Sequence, residues 1–146
     1  MQIRQTAVSL NVKDVGASAT FAQTHFGFTE QMAAEGFVSL THPTAGVNLV
    51  FLATGLSTFK PAEISGPAGQ GLLLAFVVDD LDTEFERIQA GGAKVVTSPE
   101  TEPWGERFCQ FADPNGLVWQ LVEWVDAASP SVSPQETGDD APAGPQ

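Results

Sequence analysis

Several features are scarce or missing in this sequence, and each absence argues against a class of protein. The 146 residues contain one Cys, so no disulfide can form within the chain, which fits a reducing cytoplasm. No apolar run reaches the roughly 18 residues of a membrane span, and residues 1–10 lack the apolar core of a signal peptide. Only 6 Lys and Arg oppose 18 Asp and Glu. Nucleic acid is therefore not an expected partner, because its binding depends on phosphate neutralisation.

Residues 127–146 differ in composition from the rest of the chain. They are rich in Pro, Ser, Gly and Asp, and Val132 is their one large apolar residue. Such a segment cannot bury enough apolar surface to offset its chain entropy. We therefore predict a disordered tail there and one folded domain over residues 1–126, which is long enough to bury a core.

Two stretches of that domain share one pattern. Phe37–Leu52 and Phe108–Val122 both place turn residues between alternating apolar runs, as β-hairpins do. Upstream of each, a strand-like run ends at Asp14 or Asp80, in the position of a helix N-cap. The sequence thus predicts an α+β fold of two βαβββ modules that form curved mixed sheets around a cavity.

The predicted modules have approximate limits. Module one spans about residues 5–52, a linker follows over 53–70, and module two spans about 71–126. Two repeats are too few for a solenoid, so the modules must close against each other or against a partner chain. Because each open sheet leaves an edge that needs a partner, we expect a homodimer.

Three motifs in this order carry a resemblance to a known superfamily. FAQTHFGF, LAFVVDDLD and PWGERFCQFADPNGLVWQLVE are similar to motifs of the vicinal oxygen chelate superfamily. That superfamily contains glyoxalases, extradiol dioxygenases and bleomycin-resistance proteins. The resemblance covers about residues 5–126, and it implies the two-module fold and a cavity in which the family's enzymes hold a divalent metal.

The resemblance also identifies the four strand positions of the metal ligands, which in the family are typically His or Gln, Glu, His and Glu. In this chain they correspond to Ala7, Val50, Leu73 and Gln120. The first three have no ligating atom, and a single neutral amide oxygen cannot hold Zn or Fe. The resemblance therefore implies that this chain uses no metal, and we expect no other cofactor.

The remaining reactive side chains do not replace those ligands. His25 lies in the last turn of the first predicted helix, where a cation suits the helix dipole, and His42 lies in a turn. Cys109 is interpreted as a small buried residue beside the ligand site; the alternative, a nucleophile, lacks a neighbouring His.

Strand alternation predicts which side chains line the cavity. The residues expected to face it are Ser9, Asn48, Val50, Leu73, Val118 and Gln120. They form a mainly apolar wall with a few polar anchors, which is typical of a small-molecule pocket. By the same alternation, Asn11 is also expected to face the cavity, whereas Val8, Trp119 and Leu121 are expected to face the core.

Four further residues are candidates for ligand contacts. Trp104 lies in a Pro- and Gly-flanked approach to a strand, where its ring can stack on a planar ligand or simply pack at the strand end. Arg107 is either a polar anchor or a surface charge. Phe59 is a candidate lid in the linker. Phe21 lies about 120° from the apolar stripe of its helix, so it fits the cavity, a subunit contact or the core.

These expectations favour a metal-free binding protein in the cytoplasm that sequesters a small aromatic or peptide natural product. It would resemble bleomycin-resistance proteins, which capture a drug without modifying it and so give antibiotic resistance or self-resistance. Bleomycin-resistance proteins look like dimers that exchange modules between subunits. The resemblance therefore implies that this chain forms a homodimer with the ligand groove at the interface. The alternative is an atypical lyase, isomerase or dioxygenase of the same fold. A scaffold or accessory domain without a small ligand is a third interpretation.

Overall fold

Each half of the chain folds as a strand, a helix and three further strands in the computed structural model, which describes residues 1–125. The first half contains β1 (Ala7–Val12), α1 (Val15–Phe26), β2 (Thr29–Ala34), β3 (Phe37–Thr41) and β4 (Asn48–Ala53). The second contains β5 (Leu73–Val77), α2 (Leu81–Ala90), β6 (Lys94–Thr101), β7 (Glu106–Ala112) and β8 (Val118–Trp124). The predicted α+β fold of two βαβββ modules is confirmed, while the predicted tail lies outside the described residues.

The two modules also share their sheet topology. Their four-stranded sheets have the orders β1-β4-β3-β2 and β5-β8-β7-β6. In the first sheet β1 runs parallel to β4, and β3 runs antiparallel to both of its neighbours. The repeated sequence pattern therefore corresponds to a repeated strand order. No helix among the described residues is long and apolar enough to cross a membrane.

The helices begin at the predicted residues. The Asp14 carboxylate accepts a hydrogen bond from the backbone N of Ala17 at 3.1 Å, and Asp80 accepts one from Thr83 at 3.2 Å. Each bond satisfies a backbone donor that would otherwise be free at a helix N-terminus. α1 ends at Gly27, whose φ of 74° lies in the left-handed region that glycine adopts at low cost.

The core of module one lies between α1 and one face of the first sheet. The buried residues of this layer are Leu10, Val12, Ala19, Ala22, Leu40, Leu49 and Phe51. Val8 was expected in the same layer because it alternates with Leu10, yet it is 36% exposed. Alternation fixes the direction of a strand side chain but not what covers it, and this part of the core prediction is wrong.

The core of module two is built on stacked aromatic rings. Phe85 of α2 stacks on Phe111 of β7 with 5.5 Å between the ring centroids, and Phe76 of β5 stacks on Trp119 of β8 at 6.0 Å. Trp119 is fully buried and Leu121 nearly so, which confirms that both residues face the core. Burial and stacking of such large rings contribute to the stability of this module.

One segment of module two belongs spatially with module one. The described residues divide into one unit of Met1–Leu73 with Ala112–Val118, and a second unit of Leu74–Phe111 with residues 119–125. The turn between β7 and β8 therefore lies in the first unit, whereas the limits drawn from the sequence put it in module two.

Hydrogen bonds to the start of α1 hold that turn. Ser18 Oγ donates to Asp113 Oδ2 at 2.7 Å, and the Asn115 side chain donates to the Asp14 carbonyl oxygen at 2.7 Å. Asn115 Oδ1 in return accepts from the backbone N of Asp14 at 3.0 Å. Asp113 Oδ1 also accepts backbone hydrogen bonds from Asn115 and Leu117, so this carboxylate stabilises the turn between β7 and β8.

Candidate functional site

The second sheet has one face against α2 and one face directed away from it. Phe111 of β7 meets α2 through its stack on Phe85, and Glu123 of β8 accepts a hydrogen bond from the backbone N of Leu81 at 2.8 Å. Alternation then directs the intervening residues of both strands to the opposite side. We call that side the distal face; its residues on β7 and β8 are Glu106, Phe108, Gln110, Ala112, Val118, Gln120, Val122 and Trp124.

Three polar side chains cross the distal face in a hydrogen-bonded row. Thr97 Oγ1 of β6 donates to Gln110 Oε1 at 2.7 Å, and Gln110 Nε2 donates to Gln120 Oε1 at 2.7 Å. Gln120 is 8% exposed, and within residues 1–125 its side-chain Nε2 donates to no protein acceptor. The row therefore ends in a buried amide donor that a bound molecule can use.

Trp104 lies just before β7 and is attached to the distal face through its polar edge. The indole Nε1 donates to Glu106 Oε1 at 3.0 Å. Glu106 itself is 6% exposed, whereas Trp104 is 47% exposed. A half-exposed ring held beside a sheet face is suited to contact a ligand, and that role of Trp104 remains a prediction.

Arg107 lies on the opposite side of β7, facing α2. Its guanidinium donates to both carboxylate oxygens of Asp82, at 2.7 and 3.1 Å, and to Thr101 Oγ1 at 3.0 Å. The hydrogen bonds lower the pKa of the Asp82 carboxyl and raise the pKa of Arg107. Of the two interpretations of Arg107, the structure agrees with a surface charge engaged in an ion pair.

Cys109 also faces α2 and is fully buried. Its interpretation as a small buried residue is confirmed. Removal from solvent raises the pKa of the thiol to about 11, so little thiolate forms near neutral pH. The thiol therefore has neither the access nor the ionisation of a nucleophile, and its side chain points away from the distal face.

Module one has a corresponding row on the face directed away from α1. The pairing register aligns Ser9 with Val50 and Val50 with Ser39 across three neighbouring strands. Ser39 Oγ donates to Gln31 Oε1 at 3.0 Å. Asn48, two residues before Val50 on the same side of β4, is partly exposed. The predicted lining residues of module one thus lie on one face, and none of them carries an ionisable group.

The linker approaches the end of β1 at Asn11. The Asn11 side-chain amide, 5% exposed, donates to the carbonyl oxygens of Ile64 and Gly66 at 3.1 and 3.2 Å. Asn11 was expected to face the cavity, and its hydrogen bonds instead hold the linker. Phe59 in the same linker is partly exposed, so its role as a lid remains a prediction.

Phe21 and the two His residues have structural contacts. Phe21 is 7% exposed and packs edge-on to the His25 ring with 4.8 Å between centroids, so the core interpretation agrees with the structure. His42 Nδ1 accepts backbone hydrogen bonds from Thr44 and Ala45, both at 3.1 Å. The His42 ring thus accepts hydrogen bonds from backbone amides of its own turn, as the Asp113 carboxylate does in the turn between β7 and β8.

The residues at the family's metal-ligand positions do not fit a metal. Ala7, Val50 and Leu73 present hydrocarbon only, and Gln120 Oε1 already accepts a hydrogen bond from Gln110. Throughout the described part of the chain, no three His, Cys, Asp or Glu side chains are grouped so that they could hold a metal ion. Any chemistry at this site would have to come from other groups.

Sequence reasoning missed Glu106, Thr97 and Gln110. The signal for two of them is the alternation in ERFCQF, which directs Glu106 and Gln110 to the side opposite Arg107 and Cys109. Thr97 had no such signal, because its contact with Gln110 depends on the pairing of two strands and not on a local pattern.

Comparisons with known proteins agree with this architecture. Residues 3–121 match the family model of the Glyoxalase/Bleomycin resistance protein/Dioxygenase superfamily. An uncharacterised protein of Mycobacterium bovis is 40% identical over 71 residues, which are 49% of this chain and 45% of that protein. The chain thus spans less than half the length of the curated relatives that it matches.

Two solved structures resemble the chain over most of its length. A glyoxalase/bleomycin resistance protein/dioxygenase from Nocardioides is 28% identical with a TM-score of 0.72, and the match covers 90% of both chains. TnmS3, an antibiotic binding protein from Streptomyces sp. CB03234, is 26% identical with a TM-score of 0.64, over 84% of this chain and 98% of TnmS3. Because the family model matches well over half of the residues, the chain belongs to the glyoxalase/bleomycin resistance protein/dioxygenase superfamily.

Proposed function

We propose that this protein captures a small aromatic or peptide natural product without the aid of a metal, and that capture alone protects against a drug. The observation that carries the proposal is the chemistry of the four family ligand positions. Three of them hold aliphatic side chains, and the fourth holds an amide whose oxygen is engaged by Gln110. An enzyme of this family would need charged or imidazole ligands there.

The distal face has the composition of a binding surface. Phe108, Val118 and Val122 supply apolar area, Gln110 and Gln120 supply amides, and the ring of Trp104 stands beside them. Pockets for small molecules typically combine such an apolar lining with a few placed polar groups. The similarity to TnmS3, described as an antibiotic binding protein, supports the same function.

The proposal includes a homodimer with the ligand groove at its interface. β2 is an edge strand of the first sheet, and all six of its residues are exposed, including Met32 at 61%. An exposed strand edge is a natural place for a second chain to pair. Sedimentation at tens of micromolar protein tests the dimer, and a purely monomeric protein would contradict it.

A binding screen tests the function. Aromatic and peptide antibiotics are titrated against the protein and followed by Trp fluorescence, and each ligand is then recovered and weighed by mass spectrometry. We expect saturable binding of at least one compound with its mass unchanged. The incubation is repeated with Zn²⁺, Fe²⁺, Mn²⁺ and Ni²⁺ added; a compound that is turned over under any of these conditions would overturn capture in favour of catalysis.

A further inference from the structure

Glu106 is a buried carboxylate without a cationic partner. It is 6% exposed, and the ion pairs of residues 1–125 are Arg87–Glu84 and Arg107–Asp82, neither of which includes it. Within the described chain its side chain takes part in one hydrogen bond, from Trp104 Nε1 to Oε1. Buried charges in proteins are ordinarily paired, because an unpaired one is costly to desolvate.

No cation of this chain can fill that role from the neighbouring positions. Arg107, the next residue, faces the other side of β7 and is bound to Asp82. Residues 126–146, which lie outside the described residues, contain no Lys, Arg or His. No ion pair of residues 1–125 supplies a counter-charge to Glu106, and a bound cation would supply one.

The aromatic ring of Trp104 lies beside the Glu106 carboxylate. Because its indole N–H is held by Glu106, the ring stays beside the carboxylate while 47% of the residue is exposed. A cation close to the face of a Trp ring is attracted to it, and an ammonium group supplies donors for the carboxylate oxygens. Ring and carboxylate thus combine two features that recognise a positively charged group on an aromatic molecule.

We propose that Glu106 and Trp104 form a subsite for a protonated amine, so that the captured compound is an aromatic natural product carrying a cationic amino group. This inference rests on the proposed function and narrows its ligand class. The amide row of Gln110 and Gln120 lies on the same face and offers a donor, Gln120 Nε2, to a carbonyl group of the same ligand.

A matched pair of probes tests the subsite. 1-Naphthylmethylamine is protonated at pH 7, and 1-naphthalenemethanol is its neutral counterpart of the same size. Equilibrium dialysis gives the Kd of each, and the assigned indole N–H resonance of Trp104 reports whether binding occurs at this ring. We expect the amine to bind at least about tenfold more tightly than the alcohol, with a shift of the Trp104 resonance.

Three variants separate the local carboxylate from other effects. Glu106→Gln keeps the size and an acceptor for Trp104, and should lower the preference for the amine at least about threefold, because only the attraction of the Trp104 ring for the cation remains. Glu63→Gln removes an exposed acid of the linker and should keep the tenfold preference, although it changes the net charge equally. Trp104→Phe should keep a preference for the amine, because the carboxylate remains. Melting temperatures confirm that each variant is folded.

The outcomes distinguish this inference from the function on which it rests. Equal binding of both probes with a shifted Trp104 resonance, or a preference that Glu106→Gln leaves unchanged, overturns the amine subsite and leaves capture intact. Failure of both probes to bind at millimolar concentration also overturns the subsite. The antibiotic screen then decides the proposed function independently.

Discussion

The side-chain amide of Gln110 donates a hydrogen bond to Gln120 Oε1 at 2.7 Å, across neighbouring strands of the second sheet. Gln120 Oε1, the atom that could ligate a metal at this family position, therefore already accepts a hydrogen bond from the neutral amide of Gln110. The same bond orients the Gln120 Nε2 donor, which under the proposed function is available to an organic ligand.

Metal content gives the first prediction. Protein purified without chelator is expected to hold no stoichiometric Zn, Fe, Mn or Ni, because Ala7, Val50 and Leu73 offer no ligand. Elemental analysis measures the content, and melting temperatures with each added ion should stay unchanged, since an ion without a site gives no binding stabilisation. One tightly held metal per chain would contradict the metal-free proposal.

Ligand binding should depend on Trp104. Trp104→Ala is expected to weaken binding of a planar ligand by about 1–3 kcal/mol, which is roughly a tenfold to hundredfold rise in Kd, through lost burial and ring stacking. Titration calorimetry measures the change. Ile3→Ala, which alters an exposed apolar residue before the first strand, is the control and should leave the Kd within about twofold.

Folding stability should depend on Trp119 instead. This ring is fully buried against Phe76, so Trp119→Ala should lower the free energy of unfolding by about 3–5 kcal/mol. Urea denaturation measures the change, and Trp104→Ala is the comparison with a smaller effect. If Trp119→Ala lost ligand while remaining stable, the two faces of the second sheet would be assigned the wrong way round.

The Asp113 carboxylate should be important for stability without any part in binding. It accepts hydrogen bonds from Ser18 Oγ and from two backbone amides, and it is 5% exposed. Asp113→Ala leaves those donors unsatisfied and should cost about 2–4 kcal/mol in the free energy of unfolding. Asp113→Asn, which keeps the shape and one acceptor, should cost less. Equal stability of Asp113→Ala and the wild type would rule out this role.

Cys109 provides a prediction about pH. Its folded pKa of about 11 lies above the ordinary value of 9.0. Protonated thiol is favoured in the folded state, so the stabilising contribution is complete below pH 9 and is lost as the pH rises towards 11. At pH 8 a thiol reagent should react with the native protein far more slowly than with the urea-unfolded chain. Equal rates would show that Cys109 is accessible.

Local sequence patterns were sufficient for part of this architecture. Asp14 and Asp80 could be identified as N-caps because a cap bonds residues three positions away. The faces of Trp119 and Leu121 followed from alternation, since side chains of a strand point to opposite sides in turn. Both features are decided within a few residues of the chain.

Other features depend on residues that are distant in sequence. Phe21 was open to three interpretations, because its helix stripe does not reveal what packs against it. Arg107 was considered as a ligand contact because it lies near Trp104 in sequence. Its ion pair with Asp82 shows that its side chain lies on the face of the sheet that packs against α2. The bonds between Asp14 and Asn115 join residues about a hundred positions apart, and no periodicity encodes them.

The contact between the start of α1 and the β7–β8 turn can form only late in synthesis, because the ribosome makes the chain from its N-terminus. Ser18 is fully buried, and its hydroxyl bonds to Asp113 and Asn115. Until Asn115 has been synthesised, the nascent first half has a helix start whose polar groups lack these partners. Ribosome-bound chains that expose residues 1–73 but stop short of the β7–β8 turn should therefore be more protease-sensitive than chains that include it.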